Sequence, residues 1–244
     1  MIGNGEEFEI NCDSCKPYSF TDFSKFSDSL SRDAFSISHI NIRSLPKNFD
    51  ELKLFHESTP YDFKVIALSE VWQIKNKDLY NLTNFSFETK CRTNQRGGGV
   101  GAYIHTSLNY SMFDINVCHA ETLWLNIHMG GDRSITIGII YRKPNTNVDE
   151  FLESLEAALL NITSENSECI LIGDFNINVH CLETSDVRNL CHTMSCLDFR
   201  QVITVPTRIV ICNKHAPLVT KNSRCNKNSK KPWLSVDLKK SIKT

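Results

Sequence analysis

The hydrophobic positions of the chain follow two kinds of spacing, which predicts strands interleaved with helices. Short apolar runs between turn residues are typical of buried strands. Such runs occur at 35–41, 65–70, 99–105, 123–129, 134–141 and 170–174. Apolar residues recur at helical spacing from Pro46 to Ser58 and from Val148 to Ile162, where Asn147 and Glu150 predict an N-terminal cap. This alternation indicates an α/β fold in which strands pack between layers.

Polar side chains follow three of these strands at the point where each strand ends. Asn41 ends the first, Glu70 the second, and Asp174 and Asn176 the last. Ligands and catalytic groups gather at such strand ends in α/β sheets. Taken alone, each residue also fits the alternative of a turn former. Three such ends in one chain predict an oxygen-rich pocket, which suits a hard divalent cation such as Mg²⁺.

For other motifs a structural role is favoured over a catalytic or binding role. The glycine-rich segment 96–101 lacks Gly-Lys-Ser/Thr and precedes a strand, so a hairpin turn is favoured over a phosphate-binding loop. His39 alternates with isoleucines, which favours a buried structural histidine over a catalytic one. Arg43 and Arg142 flank the predicted pocket, and for each of them a phosphate contact and an ordinary surface charge stay open.

Length and composition fit one globular domain with tails: 244 residues, of which 41% are hydrophobic and 23% charged. The net charge of -1 conceals an asymmetry. From Ile211 onward nine Lys/Arg face one acidic residue, which leaves 18 basic and 27 acidic residues in 1–210. A basic tail can contact phosphates non-specifically, but its lack of interleaved aromatic residues favours a solvated linker.

The sequence contains no signal for secretion or membrane insertion. No apolar run approaches the ~20 residues of a membrane span, and the N-terminus does not resemble a signal peptide. The ten cysteines are scattered, which favours reduced thiols in a nuclear or cytoplasmic protein over disulfides or a zinc site.

Five motifs occur in the order of a known family. They are Asn41-Ile-Arg-Ser-Leu45, Leu68-Ser-Glu70-Val-Trp72, Gly97-Gly-Gly-Val-Gly-Ala-Tyr103, Ile140-Tyr-Arg-Lys-Pro-Asn145 and Gly173-Asp-Phe-Asn176. From about Phe35 to Arg208 the chain resembles the endonuclease/exonuclease/phosphatase superfamily. Within it, the chain resembles the apurinic-type endonuclease domain of non-LTR retrotransposons of the jockey and chicken-repeat group. The flanks resemble the leader of such reading frames and the linker towards their reverse transcriptase. The resemblance implies a two-sheet α/β sandwich of the deoxyribonuclease I type.

The resemblance also implies a role for each residue of the pocket. Glu70 would ligate Mg²⁺, or Mn²⁺, with Asn41 beside it. Asp174 and Asn176 would orient the attacking water and hold a phosphate oxygen, and Tyr141 would donate to the scissile phosphate. The metal would neutralise the charge that develops on the phosphate. The implied reaction is the nicking of DNA by a monomer whose intact parent element also carries a reverse transcriptase domain.

One motif of the family is missing. The family ends with an Asp on a late strand and a Ser-Asp-His triplet, and no Ser-Asp-His occurs in this sequence. Soon after Pro206 the chain reaches Asn213-Lys-His215-Ala-Pro, which resembles the downstream linker. We therefore expect an incomplete domain at 34–210 that lacks its last strands, between a loosely ordered polar leader (1–33) and a basic tail (211–244).

These observations predict a retrotransposon-derived, Mg²⁺-dependent endonuclease whose catalysis is impaired in this copy. The alternative is a non-catalytic pseudoenzyme remnant or a weak nucleic-acid binder.

Overall fold

The computed structural model of the protein describes residues 15, 18–31, 34–92, 97–163, 168–179, 181 and 183–204. The strands are β1 (Ile37–Asn41), β2 (Val65–Ser69), β3 (Phe85–Lys90), β4 (Val100–His105), β5 (Asn109–Phe113), β6 (Ala120–Gly130), β7 (Arg133–Arg142) and β8 (Glu168–Asp174). The helices are α1 (Phe20–Ser27), α2 (Leu45–Ser58), α3 (Val148–Thr163) and α4 (Ser185–Cys196), with a short 3₁₀ helix at Lys77–Tyr80. None of these helices has the length and apolar character needed to cross a membrane. The predicted basic tail and the segment that precedes it, from residue 205 onward, lie outside the described residues.

The described strands form two sheets of four, in the orders β1-β2-β4-β3 and β5-β6-β7-β8. Each sheet contains one parallel pair, β1 with β2 and β7 with β8, while its other pairs are antiparallel. A parallel pair needs a crossover connection, and α2 and α3 lie in these two connections. The predicted two-sheet α/β sandwich is confirmed.

The main core lies between the two sheets. Ile135, Ile137 and Ile139 of β7 face it, together with apolar residues of β2, β4 and β6. The opposite face of β7 packs through Ile140 on α3, where Phe151 is fully buried. Helices α1 and α2 cover the outer face of the first sheet. Because β7 is buried on both faces, its sequence is a nearly continuous apolar run.

One glycine of β7 makes room for an indole ring. Gly138 lies opposite Trp124 in the β6–β7 register, and a Cβ atom at Gly138 would come within 2.4 Å of the Trp124 ring. Trp124 is 1% exposed and belongs to the core under α3. The missing side chain at this position therefore leaves room for the largest residue type beside it.

The leader, which was predicted to be loosely ordered, contains helix α1. The hydroxyl of Ser19 caps this helix by accepting a hydrogen bond from the Asp22 amide at 3.1 Å. Phe23 is 5% exposed, and its ring stacks on that of Phe63 with centroids 6.1 Å apart. The Ser-x-x-Asp pattern and the phenylalanines at three-residue spacing are helix signals within a segment whose overall composition is polar.

The predicted cap of α3 is confirmed. The Oδ1 atom of Asn147 accepts hydrogen bonds from the main-chain amides of Asp149 at 3.0 Å and Glu150 at 3.3 Å. The side-chain amide of Asn147 donates to the Glu150 carboxylate at 2.8 Å. These bonds satisfy amides that the first turn of a helix leaves without partners.

Candidate functional site

The carboxyl ends of β1, β2 and β8 meet at one edge of the sandwich. The side chain of Asn41 joins them, because its Nδ2 donates one hydrogen bond to Glu70 Oε1 at 2.9 Å and another to Asp174 Oδ2 at 2.8 Å. Asn41 pairs with Ser69 in the parallel β1–β2 register, so Glu70 lies directly beyond it. The structure thus brings Asn41, Glu70 and Asp174 together, while their roles towards a metal ion and a phosphate stay predictions.

The other polar atom of this amide, Asn41 Oδ1, is buried and has no hydrogen-bond partner among the described residues. A buried acceptor without a partner costs about 1–3 kcal/mol, and a cation at this position would remove that cost. The atoms available here as metal ligands are the oxygens of two carboxylates and one amide, and such oxygens suit Mg²⁺ or Mn²⁺.

The described residues contain no group of three or more His, Cys, Asp or Glu side chains that could hold a metal ion. This arrangement does not fit a structural zinc ion, which takes four protein ligands. It fits Mg²⁺, which is bound through one or two carboxylates and keeps several waters.

Left-handed backbone conformations cluster beside this pocket. The φ angle is 54° at Glu70, 47° at Arg43 and 92° at Ser44, and such conformations cost residues other than glycine about 1–3 kcal/mol each. The Ser44 amide donates to the Glu70 carbonyl at 2.8 Å, which ties the segment after β1 to the segment after β2. Strain of this kind is typical of functional sites. Arg43 is half-buried here, and its phosphate contact stays a prediction.

Both carboxylate oxygens of Asp174 are held in place. Oδ1 accepts a hydrogen bond from the Asn176 main-chain amide at 3.0 Å, and Oδ2 accepts the bond from Asn41. Asn176 has a φ angle of 50°, and its side-chain amide donates to the Arg142 carbonyl at 2.7 Å. Asn176 therefore anchors the turn that orients Asp174, while its predicted contact with a phosphate oxygen stays a prediction.

Arg142 differs from one of the two interpretations that the sequence left open. Its side chain is 3% exposed, so it is not a surface charge. Its guanidinium donates to the carbonyls of Phe175, Thr146 and Asn176 and to the Thr146 hydroxyl, at 2.7–3.0 Å. A buried guanidinium engaged in this way holds the turn after β8, and the phosphate contact of Arg142 stays a prediction.

His39 has the structural role that the sequence favoured. It is 3% exposed, and its Nε2 lies 3.1 Å from Ser69 Oγ. The ring is thus buried on the same face of β1 as Asn41, where it contacts the last residue of β2.

A row of polar side chains crosses three neighbouring strands beside the pocket. Tyr141 lies between Glu121 on β6 and Asp174 on β8 in the strand registers, so the three side chains share one face of the sheet. Tyr141 is 6% exposed. Burial, together with the negative charges of Glu70, Asp174 and Glu121, raises the pKa of Tyr141 to about 12. Tyr141 therefore keeps its proton at neutral pH and can donate a hydrogen bond.

Glu121 and Arg92 are neighbours of the site that the sequence did not identify. The Glu121 carboxylate accepts hydrogen bonds from Arg92 Nε and from the main-chain amide of Gly99. The side chains of Arg92 and Glu121 are 20% and 14% exposed. Glu121 joins the site only through its register with Tyr141, and a single sequence does not specify the pairing register between distant strands.

Removing the Tyr141 hydroxyl should change how stability depends on alkaline pH. Folding holds the pKa of Tyr141 at about 12, above the ~10 of an unfolded tyrosine, so the unfolded state loses this proton first. The stability linked to this proton is fully present below pH ~10 and is lost as the pH rises through about 12. In urea denaturation, the free energy of unfolding should fall more steeply across this window for wild type than for Tyr141→Phe. Parallel curves for the two proteins up to pH ~12 would contradict the raised pKa.

Comparison with known families gives one match by sequence. The profile described as the Endonuclease/Exonuclease/phosphatase family matches residues 11–190. No curated protein matches the chain significantly.

Solved structures resemble the chain in fold. The AP endonuclease LMAP from Leishmania major is 15% identical with a TM-score of 0.58, over 78% of this chain and 75% of that one. A variant of the 3′ phosphatase NExo from Neisseria, bound to a product DNA hairpin, is 11% identical with a TM-score of 0.49, over 67% and 71% of the two chains. An AP endonuclease from Archaeoglobus fulgidus is 12% identical with a TM-score of 0.48, over 66% and 70%. At such identities the likeness to the Leishmania structure shows a shared fold.

Proposed function

The chain belongs to the endonuclease/exonuclease/phosphatase family, and we propose that it is a DNA phosphodiesterase domain whose pocket at Asn41, Glu70 and Asp174 holds a divalent cation. One observation carries the proposal. The Asn41 amide bridges both carboxylates, and its buried Oδ1 has no hydrogen-bond partner among the described residues. One amide therefore holds the carboxylates of two other strand ends beside it, and carboxylate and amide oxygens are the ligands that a hard cation takes.

Each side chain has a role in the proposed reaction. Mg²⁺ or Mn²⁺, when bound at Glu70 and Asn41, would supply neutralisation of the charge on the phosphate. Tyr141, protonated at neutral pH, donates a hydrogen bond to a phosphate oxygen. Asp174, with both oxygens held by hydrogen bonds from Asn41 and Asn176, accepts a hydrogen bond from the attacking water and aligns it with the phosphorus.

We further propose that the domain derives from the endonuclease of a non-LTR retrotransposon of the jockey and chicken-repeat group. The five motifs and the two flanks, which resemble those of such reading frames, support this origin. In the intact parent element the domain would act as a monomer joined to a reverse transcriptase, in the nucleus or the cytoplasm.

Catalysis is impaired in this proposal. The sequence contains no Ser-Asp-His triplet, and His39, which lies two residues before Asn41, is buried against Ser69. The same observations favour the second candidate function, a non-catalytic remnant that binds nucleic acid weakly. The two candidates share the metal pocket and differ in whether DNA is cut.

Cation binding should be measurable without catalysis. A ligand that binds only the folded state at ten times its Kd adds about 1.4 kcal/mol, or about 4 °C in Tm for a chain of this size. We expect Mn²⁺ to raise the Tm of wild type by this amount in a thermal shift assay. The Glu70→Gln and Asp174→Asn variants should show little or no rise, because each loses a carboxylate of the pocket.

The matched control removes a carboxylate far from the pocket. Glu57 lies on α2, where its side chain is 59% exposed and faces Lys53 at 3.9 Å. Glu57→Gln should respond to Mn²⁺ as wild type does. If all four proteins show the same rise in Tm, the cation binds elsewhere and the proposed metal site is wrong.

A further inference from the structure

Arg92 and Glu121 form an ion pair at the side of the pocket that is farthest from Asp174. Glu121 is tied to Arg92 Nε and to the Gly99 amide, so its charge is compensated by two donors. Arg92 acts on Tyr141 as a positive charge, because it lowers the Tyr141 pKa against the three carboxylates that raise it. The row that starts at Asp174 and Tyr141 thus ends in a guanidinium whose orientation is fixed.

The guanidinium of Arg92 can donate further hydrogen bonds. Its Nη2 atom has no hydrogen-bond partner among the described residues, although its Nε is engaged by Glu121. A buried donor without a partner is costly, and the two Nη groups of a guanidinium form a planar, rigid fork. Such a fork matches the paired oxygens of a phosphate.

A cavity of about 180 Å³ lies next to this fork. Its lining includes Lys90, Arg92, Asn116 and Thr122 as well as Glu121. Lys90 is half-exposed and paired with Asp114 at 3.0 Å, where solvent screens it. Cys91 also lines the cavity, and burial raises the pKa of its thiol, so the group is neutral and does not repel an anion.

We propose that Arg92, oriented by Glu121, binds a second phosphodiester of the DNA strand at this cavity, adjacent to the scissile one. The inference rests on the proposed function, because it assigns the path of the same substrate. Neighbouring strands lie about 4.8 Å apart, so the Glu121 side of the row is on the order of 10 Å from Asp174. One phosphate group cannot contact both ends, whereas the next phosphate along the strand can reach the Arg92 end. The charge of Arg92 also compensates that of Glu121, one of the three carboxylates that would otherwise repel the backbone.

The test measures binding of the full chain to a fluorescent DNA duplex by anisotropy, in EDTA, as a function of salt. Arg92→Gln should weaken binding about tenfold and lower the slope of log K against log salt by about 1, since one phosphate contact is lost. Arg92→Lys should keep the slope and lose affinity, because it retains the charge without the fork. Arg133→Gln is the matched control, since Arg133 is exposed at the opposite end of β7 from Tyr141, and it should bind as wild type does.

The outcomes separate this inference from the proposed function. If wild type binds the duplex and Arg92→Gln binds with the same affinity and slope, the Arg92 contact is wrong while the proposed function stands. If wild type shows no salt-dependent binding to DNA, the proposed function is overturned together with the inference. If Arg92→Gln melts below the assay temperature, Arg92→Lys decides, and an affinity equal to that of wild type refutes the contact.

Discussion

Replacing Gly173 by alanine should destabilise the protein by about 3 kcal/mol or more. Gly173 has a φ angle of 146°, and a Cβ atom there would lie 1.9 Å from the carbonyl oxygen of Ile140. Gly173 pairs with Ile140 in the parallel β7–β8 register, so the clash is with main chain that cannot rotate away. Relief requires β8 to move from β7, and that movement carries Asp174 away from Asn41. In thermal denaturation, Tm should fall by about 9 °C, at 2–4 °C per kcal/mol for a chain of this size.

The control for this substitution separates the clash from backbone strain. Gly130 at the end of β6 has a φ angle of 95°, and a Cβ atom there would meet nothing within 4 Å. Gly130→Ala should therefore cost only the left-handed conformation, about 1–2 kcal/mol. Equal losses in Gly173→Ala and Gly130→Ala would show that the close approach of β7 to β8 is not what requires a glycine at 173.

The spacing of apolar residues along the sequence predicted the strands and helices that bury one or both of their faces. The predicted strand 134–141 is β7, which extends by one residue at each end, and the predicted helix 148–162 is α3, which ends one residue later. Both elements are fixed by the core, because a residue on the wrong face would be exposed or would leave a cavity. The positions of these two elements can therefore be predicted from the hydrophobic periodicity of the sequence alone.

The start of β6 shows where periodicity fails. The strand begins at Ala120, before the predicted start at 123. The added residues include Glu121, whose polar side chain points to the site and interrupts the apolar pattern. Positions that serve a site break the rules of the fold around them. The residues hardest to recognise as strand are thus the ones that contact Tyr141 and Arg92.

The residues of the candidate site also fall into a group that the sequence predicts and a group that it does not. Asn41, Glu70 and Asp174 were predictable because each ends an apolar run, and functional side chains gather at strand ends in α/β folds. Asn41 and Glu70 follow neighbouring strands of one sheet, whereas Asp174 ends β8 of the other sheet, so the packing of the two sheets brings it to them. Arg92 follows β3 and reaches the site through a side-chain bond to Glu121, which itself depends on the β6–β7 register. Such contacts depend on three-dimensional pairing and leave no mark in local sequence.

Supercoiled plasmid incubated with the purified chain and Mg²⁺ should stay supercoiled, with no more nicking than in the Glu70→Ala variant. The missing histidine would act in proton transfer, a contribution of roughly 10²–10⁴-fold, and the carboxylate that accompanies it is also absent from the sequence between Pro206 and Asn213. Catalytic groups that act as a unit are not additive, so removing Glu70 as well should change nothing further. Conversion of supercoiled to open-circular plasmid on agarose gels measures the outcome.

Nicking by wild type that disappears in Glu70→Ala would overturn the proposed impairment and favour an active endonuclease. The loss of nicking in Glu70→Ala would exclude a contaminating nuclease, and Glu57→Ala, which removes an exposed carboxylate on α2, should leave nicking unchanged and so exclude a general effect of charge. In that case another residue must transfer the proton. His39 is the first to replace with glutamine, because it lies two residues before Asn41 on β1 and its ring already contacts Ser69, the residue before Glu70. Nicking that survives His39→Gln would place the proton transfer on Asp174 or on Tyr141, which Asp174→Asn and Tyr141→Phe distinguish.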